Sequence, residues 1–452
     1  MHLDRRALLS TGAISAGLAV TAGAAAGPRS DATGVAVPSG LTISPDGRAD
    51  HTAALQAAID EAAARGVAVV LAPGVFRAGS LQLRAHSRLI GASRQSVLTF
   101  NGGATFLTAR EVPGVRIESL TLDGNGLALD ARHGTGLIAL DGCEGLALVD
   151  LEIRRGLLNG VTLDRSSGRV TDCTIRDMSE AALLSRDATG LTVAHNSVAD
   201  CANNGILIWR SAPGEDGSIV TANRIQRIGA RSGGSGQNGN GINVFRAGGV
   251  VVSGNHVSEC VYSAVRGNSA SNIQMIGNTC RSIGEVALYA EFAFEGALIA
   301  NNLVDGAASG IAVTNFNEGG RLAIVQGNLV RNLFRREAEP VDKRGVGISV
   351  EADAAVTGNV VESAPTAGIM AGWGPYLRDV AITSNLIRSA GVGILVSADP
   401  GAGATLISQN MISGARDGAI RAGDHGVPQG PDLASADARA AGRHVVSGNL
   451  AV

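Results

Sequence analysis

Residues 241–314 decide the fold, and they read GINVFRAGGVVVSGNHVSECVYSAVRGNSASNIQMIGNTCRSIGEVALYAEFAFEGALIANNLVDGAASGIAVT. Within them, apolar side chains recur at a step of 23 residues. One such column contains Ile242, Val265, Leu288 and Ile311. A second column, two residues further along, contains Val244, Gly267, Ala290 and Val313. Because side chains alternate between the two faces of a strand, the repeat predicts β-strands that bury one face.

A column of asparagines extends the repeat towards the end of the chain. Its ten predicted members are Asn196, Asn223, Asn255, Asn278, Asn301, Asn328, Asn359, Asn385, Asn410 and Asn449. An apolar residue lies three positions before each asparagine, and another follows two positions after each of the first nine. Buried positions five residues apart cannot both face inward on a straight strand, so the chain must turn a corner near each asparagine. Stacked amides at these corners predict a structural role, since they satisfy backbone groups of neighbouring turns.

Short strands and corners that repeat every 20 to 30 residues or so, without a helical period, predict a solenoid of parallel strands. We therefore expect an all-β fold, a right-handed parallel β-helix of about 12 coils. A solenoid adds coils without splitting its core, so one domain is expected despite the length of 452 residues.

The N-terminus resembles a twin-arginine export signal. Arg5 and Arg6 precede a Gly/Ala-rich apolar run that ends in an A-x-A cleavage site at residues 22–26. Residues 1–27 are thus expected to be a signal peptide and residues 28–45 a linker. The resemblance implies passage through the twin-arginine translocase and a periplasmic or secreted location. Glycines make the run weakly hydrophobic for a membrane anchor, so no stable membrane insertion is expected after cleavage.

Residues 46–91 are expected to cap the first coil. Asp50 or Thr52 can begin a helix that buries Leu55 and Ile59 and hides the open strand edge. The motifs DGxxDxTxALQxAID and VVLxPGxF, followed by LIG at 89–91, closely resemble the N-terminal cap of pectate-lyase-like β-helix proteins. With the signal, the chain is similar to the twin-arginine-translocated repetitive proteins of that superfamily. The resemblance implies a β-helix over 92–452 and a polysaccharide or other glycan as partner.

Composition and cysteines narrow the function classes. The net charge of -3 argues against a nucleic-acid partner. The five cysteines show no C-x-x-C spacing, and Cys201 and Cys260 belong to coils about 10 Å apart, too far for a disulfide. No calcium-loop or metalloprotease motif occurs, so no metal and no cofactor is predicted.

The candidate catalytic residues are Arg266, Tyr289 and Glu291. Arg266 and Tyr289 share one outward column with Asn243 on successive coils, about 5 Å apart, and Glu291 lies two residues along. In a β-elimination, Arg266 would act beside the substrate carboxylate and Tyr289 would donate to the leaving oxygen. In a hydrolysis, Glu291 would be the acid and Glu295 the second carboxylate. The alternative is that Arg266 and Glu291 form only a solvated ion pair between coils.

Aromatic side chains that can stack on sugars place a predicted groove over the coils from Trp209 to Glu295. Trp209 and Phe245 each follow a buried isoleucine by three residues, so both should point outward. The candidate substrate-binding residues are Trp209, Arg210, Asn243, Phe245, Arg246, Asn268 and Glu295.

Two function classes are compatible with these features. The first is a polysaccharide lyase or glycoside hydrolase that acts on an acidic polysaccharide, and the second is a non-catalytic cell-envelope or glycan-binding protein. The NTD, DD and GHG elements of polygalacturonases are absent, since the comparable places read NNG at 203–205, NG at 240–241 and SA at 263–264. The R-x-P-x-x-R pattern of pectate lyases and the DPHD of uronate epimerases are absent too.

Overall fold

The structure is a computed structural model that describes residues 43–129, 135–234, 236–336, 345–435 and 443–452. The predicted signal, 1–27, and most of the predicted linker lie outside the described residues. The described chain winds as a right-handed parallel β-helix, as the repeat predicts. Its described part contains one α-helix, Thr52–Arg65, and one 3-10 helix, Phe316–Glu318. Neither is long and apolar enough to cross a membrane.

The strands stack into three sheets, which we name faces A, B and C in the order in which each coil crosses them. Face A contains 15 strands, so the solenoid has about 15 turns and not about 12. The strands of face A are Val69–Val70, Arg88–Ile90, Arg116–Glu118, Leu146–Val149, Gly168–Thr171, Thr192–Ala194, Ile219–Thr221, Val251–Ser253, Ile273–Ile276, Glu295–Ala300, Arg321–Gln326, Ala352–Thr357, Arg378–Thr383, Thr405–Ser408 and His444–Ser447.

Faces B and C follow on the other side of the asparagine corner. The strands of face B alone are Asp46–Asp50, Gly74–Ala78, Ser96–Phe100, Thr121–Asp123, Glu152–Gly156, Thr174–Met178, Ser197–Ala199, Arg224–Ile228, His256–Cys260, Leu329–Leu333, Met411–Ser413 and Leu450–Ala451. Those of face C alone are Leu81–Gln82, Leu107–Arg110, Gly136–Asp141, Asn159–Asp164, Ala181–Arg186, Asn204–Glu215, Asn240–Gly248, Val265–Asn268, Val346–Val350, Ile420–Asp424 and Val427–Asp432. Four long strands run through both faces: Thr279–Glu291, Leu303–Val313, Val360–Ala371 and Leu386–Ser397. Strand Val427–Asp432 pairs antiparallel with its neighbour, whereas the stacked coils pair parallel.

The additional turns lie near the N-terminal end, where the corner does not hold asparagine. Backbone hydrogen bonds place Leu120, Leu151 and Cys173 at the corners that precede Asn196. The Asn196 amide oxygen still accepts from the backbone N–H of Cys173, at 2.9 Å. A count of coils from asparagines alone therefore misses the first turns.

The asparagine ladder is present, but one predicted member was wrong. Asn302, and not Asn301, occupies its corner, where its Oδ1 accepts from the backbone N and the Nδ2 of Asn278 at 2.8 and 3.0 Å. Asn301 is exposed, with a backbone φ of 56°. The physical reason is parity: Ile299, three residues before Asn302, is fully buried, whereas Leu298 is not.

The N-terminal helix covers one end of the core with the apolar side that the pattern predicts. Leu55 and Ile59 are buried, together with two alanines of the same stripe. The residue that precedes the helix is His51, whose side chain does not cap it, but Asp50 Oδ1 accepts from the Thr52 backbone N–H at 2.9 Å. Gly66 ends the helix at a φ of 67°, a left-handed conformation that a residue with a Cβ adopts only with strain.

Val, Ile, Leu and Ala fill the interior of the coils, and they form one continuous cluster from Leu55 to Leu433. The five cysteines are all buried and all unpaired by disulfide, as expected.

Candidate functional site

Face C brings the predicted column together. The strand register pairs Asn243 with Arg266 and Arg266 with Tyr289. Two residues along, it pairs Asn268 with Glu291. Because paired residues on adjacent parallel strands lie about 4.8 Å apart, the candidate residues form one continuous cluster.

Arg266 and Glu291 form the centre of this cluster. The Nε and Nη2 atoms of Arg266 lie 2.7 and 2.6 Å from Glu291 Oε1. Asn268 Nδ2 donates to the same oxygen at 2.9 Å. A guanidinium and an amide thus hold the carboxylate in a fixed orientation.

The ion pair is buried, so its interpretation as a solvated pair was wrong. The Arg266 side chain is 7% exposed and that of Glu291 is 2% exposed. Burial raises the pKa of the Glu291 carboxyl above its ordinary value, an effect that the Arg266 guanidinium opposes. Removing either partner would leave a charge in a poorly solvated place, whereas an exposed pair could lose one at little cost.

Tyr289 packs its ring against the guanidinium. Arg266 Cζ lies 5.0 Å from the ring centroid, a cation–π geometry. Burial raises the pKa of the Tyr289 phenol, and the nearby Glu291 carboxylate adds to this effect. The phenol is therefore a proton donor, and its hydroxyl oxygen lies 3.5 Å from Thr314 Oγ1.

A cavity of about 370 Å³ opens above Arg266 and Tyr289. It extends towards the C-terminal end of face C, over the coils from Arg266 to Tyr376, and not over the predicted stretch from Trp209 to Glu295. The reason is that long corners after strands Leu303–Val313 and Val346–Val350 form a wall above these coils. The polar and aromatic residues of the lining include Arg266, Glu285, Tyr289, Ser309, Ser349, Glu351, Trp373 and Tyr376.

Two carboxylates of the cavity were missed by the sequence argument. Glu285 Oε2 lies 3.7 Å from Arg266 Nη1, at an irregularity of strand Thr279–Glu291 that breaks the 23-residue step. Glu351 directly follows strand Val346–Val350, and its Oε2 accepts from the Phe316 backbone N–H at 2.6 Å. Only the position of a lone glutamate directly after a buried apolar strand could have indicated Glu351.

An aromatic wall comes from a corner that the sequence argument also missed. Trp373 and Tyr376 bridge each other through backbone hydrogen bonds, and Gly372 begins this corner at a φ of 82°. Tyr376 packs edge to face on Phe316 with 6.4 Å between ring centroids. A WGPY tetrapeptide between strands was the available signal.

The predicted aromatic residues form a separate cluster outside the cavity lining. Trp209 and Phe245 are half-buried, as their parity predicts, and pack edge to face with 6.0 Å between centroids. Arg246 covers the Phe245 ring at 4.7 Å, and its Nη1 donates to a backbone carbonyl at 3.1 Å. Arg210 Nη1 donates to the Ala188 carbonyl at 3.3 Å. These four candidates thus lie beyond the N-terminal side of the cavity.

The remaining two candidates have other neighbours. Asn243 is buried and donates to the Gly236 carbonyl at 3.2 Å, so it supports the adjacent corner. Glu295 belongs to face A, where its carboxylate pairs with Arg321 at 2.5 Å. Its prediction as a support of the site was wrong, because the corner at 292–294 turns the chain away from face C.

Among the described residues, no group of three or more His, Cys, Asp or Glu side chains is arranged to hold a metal ion. What the cavity offers is a guanidinium, a phenol, two carboxylates and two aromatic faces. These groups can bind a polyhydroxylated ligand by hydrogen bonds and by stacking.

Comparison with protein families finds a match to the family described as "Right handed beta helix region". The matched segments are residues 94–225, 159–330 and 214–377, which together cover more than half of the chain. No curated protein sequence matches.

Solved structures share the fold at low identity. The N-terminal fragment of bacteriophage Phi29 gene product 12 is 15% identical, with a TM-score of 0.54 over 84% of this chain and 67% of that one. The catalytic unit of an α-1,3-glucanase from Streptomyces thermodiastaticus is 14% identical, with a TM-score of 0.47 over 92% and 69%. The surface adhesin PfbA of Streptococcus pneumoniae is also 14% identical, with a TM-score of 0.47 over 84% and 89%. The similar structures therefore include an enzyme and an adhesin.

Proposed function

Because the chain belongs to the family of right-handed β-helix proteins, we propose that it binds a carbohydrate chain in the face C cavity and hydrolyses it. The observation that carries this proposal is the cavity itself, with a polar floor of Arg266 and Tyr289 and an aromatic wall of Trp373 and Tyr376. Saccharides offer hydroxyl groups to the first and C–H faces to the second. The fold alone does not imply a function, so the proposal rests on the site.

The carboxylates favour hydrolysis over β-elimination. An elimination would use Arg266 to neutralise a substrate carboxylate, but its guanidinium already contacts Glu291 at 2.6 Å and faces Glu285 at 3.7 Å. Glu285 and Glu351 line the same cavity, and two carboxyl groups beside one bond are what glycoside hydrolysis requires. Tyr289 and the Arg266–Glu291 pair then orient the sugar.

A glycan array followed by mass measurement of the products tests the proposal. We expect one class of glycan to bind and to be shortened with the gain of one water per cut. Glu285→Gln and Glu351→Gln should each lower turnover by a factor of about 100 or more while binding persists. Glu362→Gln, on an exposed carboxylate outside the cavity, is the control and should leave turnover unchanged.

The other two candidate activities give different results in the same assay. Products with unsaturated uronate ends, detected by ultraviolet absorbance, would identify a lyase and overturn the hydrolytic assignment. Binding that Trp373→Ala abolishes, without products from any glycan, would identify a non-catalytic glycan-binding protein. Glycan binding that Trp373→Ala and Tyr376→Ala leave unchanged would exclude the cavity.

Export through the twin-arginine route is part of the proposal. Its support is the Arg5-Arg6 pair ahead of the Gly/Ala-rich run. N-terminal sequencing of the exported chain should show a start near residue 28, and Arg5→Lys with Arg6→Lys should keep the chain in the cytoplasm. An uncleaved chain in the membrane fraction would contradict the signal.

A further inference from the structure

Face A presents an apolar stripe to solvent over nine consecutive strands. The strand register aligns its large members, Ile219, Val251, Leu298, Ile324, Leu406 and Val445, in one outward column. Four of them are between 42% and 57% exposed. The remaining members are Gln274, Ala355 and Ala381, so the column holds no charge from its first strand to its last.

The surroundings of the stripe are also suited to contact. The outward column two residues further along begins at Thr221, ends at Ser447 and is uncharged throughout. On the other side, Arg321 and Arg378 are both paired with Asp353 at 2.8 Å. Monomeric proteins seldom expose a contiguous apolar strip of this length, so a partner is expected to cover it.

We propose that a second copy of this chain packs on the stripe, face to face and antiparallel, about a two-fold axis at Ile324. Ile324 is the middle member of the nine, so this axis places Ile219 of each copy beside the last member, Val445. The interface is thus isologous, with the same patch contributed by both copies.

Side-chain sizes favour the antiparallel over the parallel arrangement. Antiparallel packing about Ile324 places Ala355 opposite Leu298 and Ala381 opposite Gln274, so a small residue faces a larger one. Parallel packing would place Leu298 against itself and Ala355 against itself, which leaves a clash beside a gap. Face-to-face sheets require side chains that interdigitate.

Charge points the same way. The column continues towards the N-terminus as Thr192, Arg169, Ala147, Arg116 and Arg88. Parallel copies would bring each of these arginines close to its own counterpart, and like charges repel. In the antiparallel arrangement, Arg169 of each copy lies beyond the end of the stripe of the other, so the arginines limit the contact without opposing it.

The area is sufficient for a reversible dimer. Eight strand steps give a length of about 38 Å, and two outward columns give a width of about 13 Å. The two copies would together bury roughly 1,000 Å², which lies at the lower end of specific interfaces. We therefore expect association in the micromolar range and not a permanent dimer.

Sedimentation equilibrium of the purified chain from low to high micromolar concentration tests the proposal. The parent should form dimers, and Ile324→Arg should raise the dissociation constant by about 30-fold or more, because it buries an unpaired charge. Val261→Arg is the matched control: Val261 and Ile324 are both 45% exposed, but Val261 lies between faces B and C. A parent that stays monomeric, or an Ile324→Arg chain that still dimerises like the parent, would overturn the proposal.

Cysteine cross-linking tests the orientation independently. Under mild oxidation, Ile324→Cys should form a covalent dimer, and a mixture of Ile219→Cys and Val445→Cys chains should form the heterodimer. The five native cysteines are buried and should not interfere. A covalent dimer of Ile219→Cys with itself would show parallel packing, and stripe-dependent binding of lipid vesicles by a monomeric chain would assign the stripe to a membrane surface instead.

Discussion

At the scale of single residues, the buried pair of Arg266 and Glu291 changes what a mutation there reports. Arg266→Met leaves the Glu291 carboxylate buried without its guanidinium, so we expect the free energy of unfolding to fall by about 3 kcal/mol or more. The double variant with Glu291→Gln should be closer to the parent, because both charges are gone. Urea unfolding of the single and double variants measures the difference.

The control for this prediction is an exposed pair of the same type. Arg227 and Asp200, at 2.7 Å, have side chains 44% and 41% exposed. Arg227→Met should therefore cost less than about 1 kcal/mol. If Arg266→Met were as mild as Arg227→Met, the pair would be solvated after all, and loss of turnover in an Arg266 variant could then be interpreted directly as loss of chemistry.

A second prediction at this scale separates two adjacent asparagines. Asn302→Ala removes the acceptor of two Asn278 N–H groups and the donor to the Met275 carbonyl, which all lie in the buried corner. Each buried group without a partner costs about 1 to 3 kcal/mol, so Tm should fall by at least about 3 °C. Asn301→Gly should leave Tm nearly unchanged, because Asn301 is exposed and glycine accepts its φ of 56°. Equal losses for both variants in differential scanning calorimetry would contradict the register.

At the scale of strands, Asp353 joins three consecutive strands of face A. It binds Arg321 of the preceding strand and accepts a bidentate contact from Arg378 of the next, at 2.8 Å. The Arg378 guanidinium, together with that of Arg321, lowers the pKa of the Asp353 carboxyl to about 2 from 3.8. Above pH 3.8 the ionised carboxylate stabilises the fold, and this contribution is lost as the pH falls towards 2.

Asp353→Asn should therefore destabilise the chain near neutral pH by less than about 1 kcal/mol, since the pair is partly exposed. Asparagine suits the site because Asp353 has a φ of 47°. Chemical unfolding of parent and variant at a series of pH values gives the check: the difference should be constant above pH 3.8 and shrink below it. A difference that persists unchanged at the lowest pH would show that the ion pairs are not its cause.

The strand scale also explains how far the sequence determines the site. The step of 23 residues correctly aligns Asn243, Arg266 and Tyr289, because those three coils have the same length. It could not reveal Glu351 or Trp373, since they follow corners of unequal length, and a column cannot be extended through a corner whose path is unknown. The cavity wall is built from these corners.

At the scale of the whole molecule, the fold was predictable because every coil repeats the same inward alternation. The prediction failed where that alternation is ambiguous or absent. Leu298 and Ile299 are both apolar, so the pattern fitted Asn301 and Asn302 equally, and only stacking on Asn278 selects one. The first turns have no corner asparagine at all, which is why about 15 turns were expected to be about 12.

The stacked interior leads to a last prediction about the whole solenoid, with the five cysteines as reporters. Their thiols are buried, and burial raises the pKa of Cys173, Cys201 and Cys280 to about 12. Because only an accessible thiolate attacks an alkylating reagent, and because a coil within the stack opens only by breaking its ladders to both neighbours, none should react in the native state. We expect mass spectrometry to find no label on the native chain and five after denaturation. Val261→Cys, at a position 45% exposed, supplies the fast reference, and a native cysteine labelled as fast as this one would show that its coil is open to solvent.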